Sequence, residues 1–305
     1  MFRDSPPPQR VAITGASGLI GSALSAFLRA RGDEVMHVVR REPGGSHEIG
    51  WDPSSRRIDP GDLSGLNAVV HLAGAGVGDH RWTPAYKQVI LSSRVDGTAT
   101  VSKALADLGE PIALVSGSAM GFYGDRGDEV LTEDSTAGSG FLADVVRAWE
   151  AATSPAQDAG LRVVLARSGL VLAPHGGSMG RVLPLARLGL AGPLGTGRQY
   201  WSWITLHDEV RALAHAIDQD LSGPVNLVSV QPLRQAEVMN ALGAALGRPA
   251  LLPAPALALK VILGEFAGDI LGSQRVLPSV LTASGFTFDH DTIESAMRWL
   301  VNASS

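Results

Sequence analysis

The chain of 305 residues contains no cysteine, which excludes disulfides and any zinc or redox site built on thiolates. A basic surplus is also missing. Lys and Arg number 25 against 30 Asp and Glu, for a formal charge of −5, and the arginines are scattered, so the electrostatic footprint of a nucleic-acid binder is absent. Long apolar runs are missing too. The opening MFRDSPPPQR has no signal core, and the most apolar late stretch, ALLPAPALALKVILGEFAGDIL, is broken by Pro253, Pro255, Lys260 and Glu265. The eight histidines show no metal-ligand spacing, and His207-Asp208 reads as the start of a helix rather than a ligand pair, so no metal is expected. The expectation is a cytoplasmic, soluble protein without a membrane or nucleic-acid partner.

What remains is an ordinary globular composition, 45% hydrophobic and 18% charged. Short runs rich in Val, Ile and Leu recur at RVAITG, EVMHVVR, AVVHLAG, PIALVSGS, LRVVLARSGLVL and PVNLVS, with helical segments between most of them. Such alternation predicts βαβ units and a parallel sheet covered on both faces, an α/β doubly wound Rossmann fold. After about residue 174 the pattern changes. The Gly- and Pro-rich PHGGSMGRVLPLARLGLAGPLGTGRQYWSW reads as a binding loop, a helix over 207–220 and PVNLVS resume the sheet, and the remainder is mostly helical. The expected division is a Rossmann domain over 9–174, completed by about 207–230, and a smaller, mostly helical substrate-side domain from 175–206 and 231–303.

Gly15, Gly18 and Gly21 stand three apart, after a strand and opening a helix. A dinucleotide needs that spacing. The first glycine permits the tight turn, the second lets a diphosphate approach the backbone, and the third lets helix and strand pack closely. The end of the second strand selects the dinucleotide. An acidic residue there would hold the ribose hydroxyl of NAD, whereas VVRR supplies Arg40 and Arg41, which attract a 2′-phosphate. NADP(H) is the expected cofactor.

TGASGLIG, VVHLAG, SGSAMGFYG and RSGLVL followed by WITLHD resemble the extended short-chain dehydrogenase/reductase superfamily of NAD(P)-dependent epimerases and dehydratases. GDHRWTPAYKQVILSSRVDGT, FYGDRGDEVLTEDS, GPLGTGRQYWSWI and LGSQRVLPSVLTASGFTF resemble, more narrowly, its epimerase-family branch with a carboxy-terminal domain of unknown function. The likeness spans nearly the whole chain. It implies a smaller domain on the substrate side of the Rossmann domain, with Thr14, Ser17, Gly18, Leu19 and Ile20 against the diphosphate, Arg40 on the 2′-phosphate, Leu72 and Ala73 beside the adenosine, and Arg94 reaching the cofactor.

Dehydrogenases of that superfamily move a proton with a Tyr and a Lys four residues later. Here Tyr86, Tyr123 and Tyr200 are followed at that distance by Ile90, Gly127 and Ile204, so the pair is absent. With Glu150 as anchor, the expected positions hold Leu142 and Val146. Ser118, where the superfamily keeps a substrate-polarising Ser or Thr, and Tyr123 in FYG are the candidate catalytic groups. Glu133 is either a base or a helix cap. Arg198 offers an anion contact, Trp201 and Trp203 would line the pocket, and Arg81 and Lys87 near Trp82 would overhang the cofactor.

The expected function is an NADP(H)-binding oxidoreductase or epimerase-like protein acting on a small polar substrate, as monomer or homodimer. The lost Tyr/Lys pair motivates an alternative, a non-catalytic NADP(H)-binding regulator acting through a partner, with cell division the role implied by some relatives.

Overall fold

The computed structural model describes residues 7–304. Its largest sheet is built from β1 (Arg10–Thr14), β2 (Glu34–Val39), β3 (Glu48–Asp52), β4 (Arg57–Ile58), β5 (Ala68–His71), β6 (Ala113–Ala119), β7 (Val163–Ser168) and β8 (Gly223–Leu227). They lie in the order β8-β7-β6-β5-β1-β2-β3-β4, all parallel except β4, which runs antiparallel to β3. This is the doubly wound parallel arrangement read from the sequence. The chain leaves β1 in one direction to β2 and returns on its other side as β5. A crevice forms outside the carboxyl ends of the strands at such a reversal, and ligands of open α/β sheets bind there.

Strand periodicity explains the layers. Val11 and Ile13 point to one face with Leu24 and Leu28 of α1 (Leu19–Arg31). Leu213 and Ile217 of α4 (Leu206–Asp218) belong to the same layer. Ala12, between Val11 and Ile13, points to the opposite face, into a layer with Val101 and Leu105 of α2 (Pro84–Leu108). A fourth long element, α3 (Phe141–Ala151), packs across the end of β6.

Two expectations need correction. LRVVLARSGLVL is not one strand. It breaks at Gly169, where a Cβ would stand 2.5 Å from the Ser202 carbonyl oxygen and 2.6 Å from Val228, and Leu170–Leu172 leaves the sheet to pair with Trp203–Thr205. The 175–206 stretch is not a plain loop either. It contains the helix Gly177–Arg187, whose Met179 and Leu183 form a second core with Trp203, Val238, Leu242, Met297 and Leu300. Strand β3 lies outside the runs that the sequence marked.

Candidate functional site

Between β1 and α1 the backbone turns on Gly15, at φ +67°. A Cβ there would stand 2.9 Å from backbone atoms of Leu72 and Ala73, and one on Gly21 would stand 2.3 Å from the Gly15 carbonyl oxygen. Only glycine allows both approaches. Gly18 is exposed and caps α1, donating its own N–H to the Gly15 carbonyl at 2.9 Å. No side chain caps this helix, and its first turn carries no acidic residue. Its leading N–H groups at Leu19 and Ile20, beside exposed Ser17, therefore face outward with no competing side chain, which is the chemistry of a diphosphate cradle.

Thr14 supports that cradle from behind. Its Oγ1 accepts the N–H groups of Leu72 at 3.1 Å and Ala73 at 3.2 Å, so its own proton goes to Nδ1 of His71 at 2.8 Å. The ring proton of His71 then sits on Nε2, which has no partner, and burial pushes this imidazole down to about 4. Thr14 is fully buried. It was expected against the diphosphate; its side chain instead clasps β1 to β5 and places Leu72 and Ala73 beside the glycine turn.

At the end of β2 the two arginines separate. Arg41 donates through Nη1 to Glu48 Oε2 at 2.7 Å and through Nη2 to the other oxygen, and also to the Glu42 carbonyl at 2.9 Å. With the Gly44 N–H at 2.6 Å, these bonds hold the Glu48 carboxyl at about 2. Arg40 is exposed and has no hydrogen bond or ion pair among the described residues. Only Arg40 is free to meet a phosphate, a distinction that the two adjacent arginines did not reveal in the sequence.

A buried polar network crosses the carboxyl ends of β6, β7 and β8. Ser118 donates to Glu150 Oε1 at 2.6 Å. Arg167 holds the same carboxylate through Nε and Nη2, both at 2.8 Å, and donates through Nη1 to the Tyr123 oxygen at 3.0 Å. Tyr123 in turn donates to Asn226 Oδ1 at 2.7 Å. The backbone N–H of Asn226 donates to Glu133 Oε1 at 3.0 Å, and Val280 N–H reaches the same oxygen at 3.2 Å. Glu133 is thus a tie between β8 and the C-terminal segment.

The network corrects one expectation. Tyr123 is fully buried, and burial raises its phenol above its ordinary value; it has no surface to offer a substrate. Ser118, 5% exposed, keeps a narrow opening. Leu142 and Val146 flank the same site, 3.5 and 3.8 Å from where a Cβ of Gly121 would stand, as an apolar wall without an ionisable group.

A glycine turn opening an uncapped helix at the sheet's reversal and a polar network at its carboxyl edge agree with the kin of this chain. Residues 11–228 match the NAD dependent epimerase/dehydratase family, and 254–300 match a domain of unknown function, DUF1731. The chain belongs to the NAD dependent epimerase/dehydratase family. It is 49% identical over 289 residues to the epimerase family protein Mb2239 of Mycobacterium bovis, covering 94% of this chain and 96% of that one. The crystal structure of human epimerase family protein SDR39U1 with NADPH superposes with a TM-score of 0.89 at 33% identity, covering 96% of this chain and 99% of that one. A nucleoside-diphosphate sugar epimerase from Corynebacterium glutamicum superposes with a TM-score of 0.78 at 38% identity, covering 95% of this chain and 57% of that one. The protein is therefore an NAD(P)-binding, extended short-chain dehydrogenase-like chain.

In this epimerase-family chain Arg94 lies beneath the loop after β5. It donates to the carbonyls of Ala75 at 2.9 Å and Ile90 at 3.0 Å, and its guanidinium sits 5.1 Å from the centre of the Trp149 ring. Burial brings it down to about 10. Lys87 pairs with Glu265 and sits 4.9 Å from the Phe141 ring centre, so it closes the 78–87 segment onto the C-terminal part instead of overhanging a ligand as a free charge. Arg81 is exposed. Arg198 is exposed, and its guanidinium has no ion pair among the described residues. Trp201 is half-buried and Trp203 fully buried in the second core. Trp203 is a packing residue and not a pocket wall.

Two groups escaped sequence reasoning, and His207-Asp208, read there only as a helix start, gains Asp289 as a third member. Glu150 served only to set a register, although an acidic residue on an otherwise amphipathic helix, facing a strand-end arginine, was the available signal. Glu209 is fully buried in the first turn of α4, accepts the Ser168 hydroxyl at 2.5 Å, and is pushed up to about 7 by burial. His207, Asp208 and Asp289 converge closely enough to hold an ion. Arg211 already reaches Asp208 at 2.7 Å and Asp289 at 3.3 Å, supplying the positive charge such a cluster needs. No transmembrane-length apolar helix exists among the described residues.

Proposed function

We propose that this chain is an NADP(H)-binding oxidoreductase or epimerase-like enzyme, acting in the cytoplasm on a small polar substrate, with residues 9–174 and about 207–230 as the cofactor domain and 175–206 and 231–303 as the substrate side. The carrying observation is the free Arg40 guanidinium beside an uncapped glycine turn, while its neighbour Arg41 is consumed by Glu48. Gly15, Gly18 and Gly21 leave room for the diphosphate, the amides of Leu19 and Ile20 bind it, and Leu72 and Ala73 flank the adenosine. The binding of NADPH by the human relative supports the choice of phosphorylated cofactor.

When bound, the nicotinamide supplies hydride chemistry. The chain's own part is the proton. Ser118 has committed its hydrogen to Glu150, so a substrate hydroxyl would donate to Ser118 Oγ while the serine proton passes to Glu150 Oε1. Arg167 orients that carboxylate, Tyr123 and Asn226 position Arg167, and Arg198 is the anion contact on the substrate side. The deciding experiment is calorimetric titration with NADPH and NADH together with turnover assays on carbonyl compounds and nucleotide sugars. NADPH preference with nicotinamide absorbance changes is expected; absence of uptake of either cofactor ends this reading.

A second reading has its own observation. Apolar Leu142 and Val146, with Tyr123 sealed in the core, leave few proton-bearing groups at the site. They favour a non-catalytic NADP(H)-binding regulator that acts through a partner. NADPH uptake without turnover on any of those substrates selects it.

A further inference from the structure

A cavity of about 390 Å³ opens away from the glycine turn. It lies where the later halves of α1 and α4 meet the chain at 284–287, and Phe27, Arg31, Arg211, His215, Asp218 and Phe286 line it. Arg31 ends α1, about 18 Å along the helix axis from Leu19 at the glycine turn. The cavity is thus separate from the candidate site. Its volume falls within the roughly 300–1,000 Å³ of small-molecule sites.

The polar groups on its wall are unequally occupied. Arg31 donates to Asp33 at 2.7 Å and to Asp218 at 2.5 Å, and Arg211 pairs with Asp208 and Asp289. Both guanidinium charges are therefore matched. Four carboxylates stand against two cations, so the wall has no spare positive charge for an anion. His215 differs. The Ser284 hydroxyl donates to the Leu281 carbonyl at 2.7 Å, so the 2.8 Å contact between Ser284 Oγ and His215 Nε2 takes its proton from the ring. Nδ1 then carries a lone pair to which no group donates among the described residues. Burial holds this imidazole below its ordinary value, which keeps the ring uncharged at neutral pH. Aromatic surface stands beside that acceptor. Phe27 is half-buried, and the Phe286 ring centre lies 5.4 Å from that of His215.

We propose that this cavity binds a planar aromatic amine, its ring against Phe27 and Phe286 and its amino group donating to His215 Nδ1. The carboxylate-rich wall favours the protonated amine, and aromatic faces attract the same charge. An aromatic acid of equal size would meet Asp218 without a free cation to hold it. The inference depends on neither the cofactor nor the catalytic reading.

Calorimetric titration of the full chain tests it with three probes that share an indole ring and differ in charge: tryptamine, indole-3-ethanol and indole-3-acetate. Tryptamine should bind at least about tenfold more tightly than indole-3-acetate, with indole-3-ethanol between them. His215→Phe keeps an aromatic ring beside Phe286 but removes the acceptor, and should weaken tryptamine about tenfold. Phe27→Ala should weaken all three probes. Circular dichroism establishes that both variants fold, and amide shifts of Ala214, His215, Gly285 and Thr287 in the isotope-labelled native protein locate the ligand. No tryptamine uptake up to about 10 mM, equal affinity for the acid, unchanged affinity in His215→Phe, or shifts confined to the glycine turn and the crevice would each overturn the proposal.

Discussion

Arg167 lies along the Glu150 carboxylate, with Nε and Nη2 each 2.8 Å from an oxygen, and the two side chains are only 4% and 10% exposed. Removing one partner strands the other charge away from water. Glu150→Leu should therefore lower stability by about 3–5 kcal/mol, whereas the double change Glu150→Leu with Arg167→Met should cost clearly less. Urea unfolding of the three proteins checks this. Equal losses in the single and double variants would show that the pair is not electrostatically coupled.

Ser118 stands at the open end of that network. Losing its hydroxyl removes the atom at which a substrate proton would be received but leaves the glycine turn untouched. Ser118→Ala should reduce kcat by about 10²-fold or more while the NADPH dissociation constant stays within about twofold. Glu150→Gln should reduce kcat similarly, and Tyr123→Phe much less, because the phenol only steadies Arg167. If Tyr123→Phe proves the more damaging change, the assignment of roles within the network is wrong.

Cofactor choice should divide between two adjacent arginines. If the proposed NADP(H) reading holds, Arg40→Ala removes a charge-assisted contact to the 2′-phosphate and should weaken NADPH by about 1.5–3 kcal/mol, roughly 10- to 150-fold, with NADH unchanged. Arg41→Ala should have a much smaller effect, since its guanidinium is spent on Glu48. Calorimetry with both cofactors on both variants is the measurement. Identical losses for NADPH and NADH at Arg40 would remove the 2′-phosphate from the argument.

The glycine turn was readable in the chain because its requirements are local: Gly15, Gly18 and Gly21 answer to backbone clearances set within a few residues and by the adjacent loop. The parallel, doubly covered character of the sheet was legible too, as runs such as RVAITG bury both faces, but its strand order was not. Trp203 and Tyr123 were misplaced because burial is decided by partners far along the chain, Leu300 for one and Asn226 for the other. The split between Arg40 and Arg41 depends on Glu48, whose strand carries too little apolar residue content to announce itself. Gly169 hid the break between β7 and Leu170–Leu172, since a glycine within an apolar run is compatible with either a strand or a corner.

Two buried titrating groups should shape the pH dependence of stability in opposite senses. Glu209 is held near 7 against its ordinary 4.5, so the folded chain binds that proton more tightly than the unfolded one. Its contribution is fully present below 4.5 and is lost as pH rises to about 7. His71 is held near 4 against 6.5, so the folded chain binds its proton less tightly. That contribution is full above 6.5 and is lost as pH falls to about 4. Each has a slope of about 1.4 kcal/mol per pH unit, and between 4.5 and 6.5 the two cancel. Glu209→Gln should uncover the histidine, making stability fall as pH is lowered through that interval and removing the decline between 6.5 and 7. His71→Asn keeps an acceptor for Thr14 and should uncover the glutamate, so stability rises on acidification over the same interval. Urea unfolding from pH 4 to pH 8 measures all three proteins. Curves that stay parallel to the native one would mean that neither group titrates differently in the fold and in the unfolded chain.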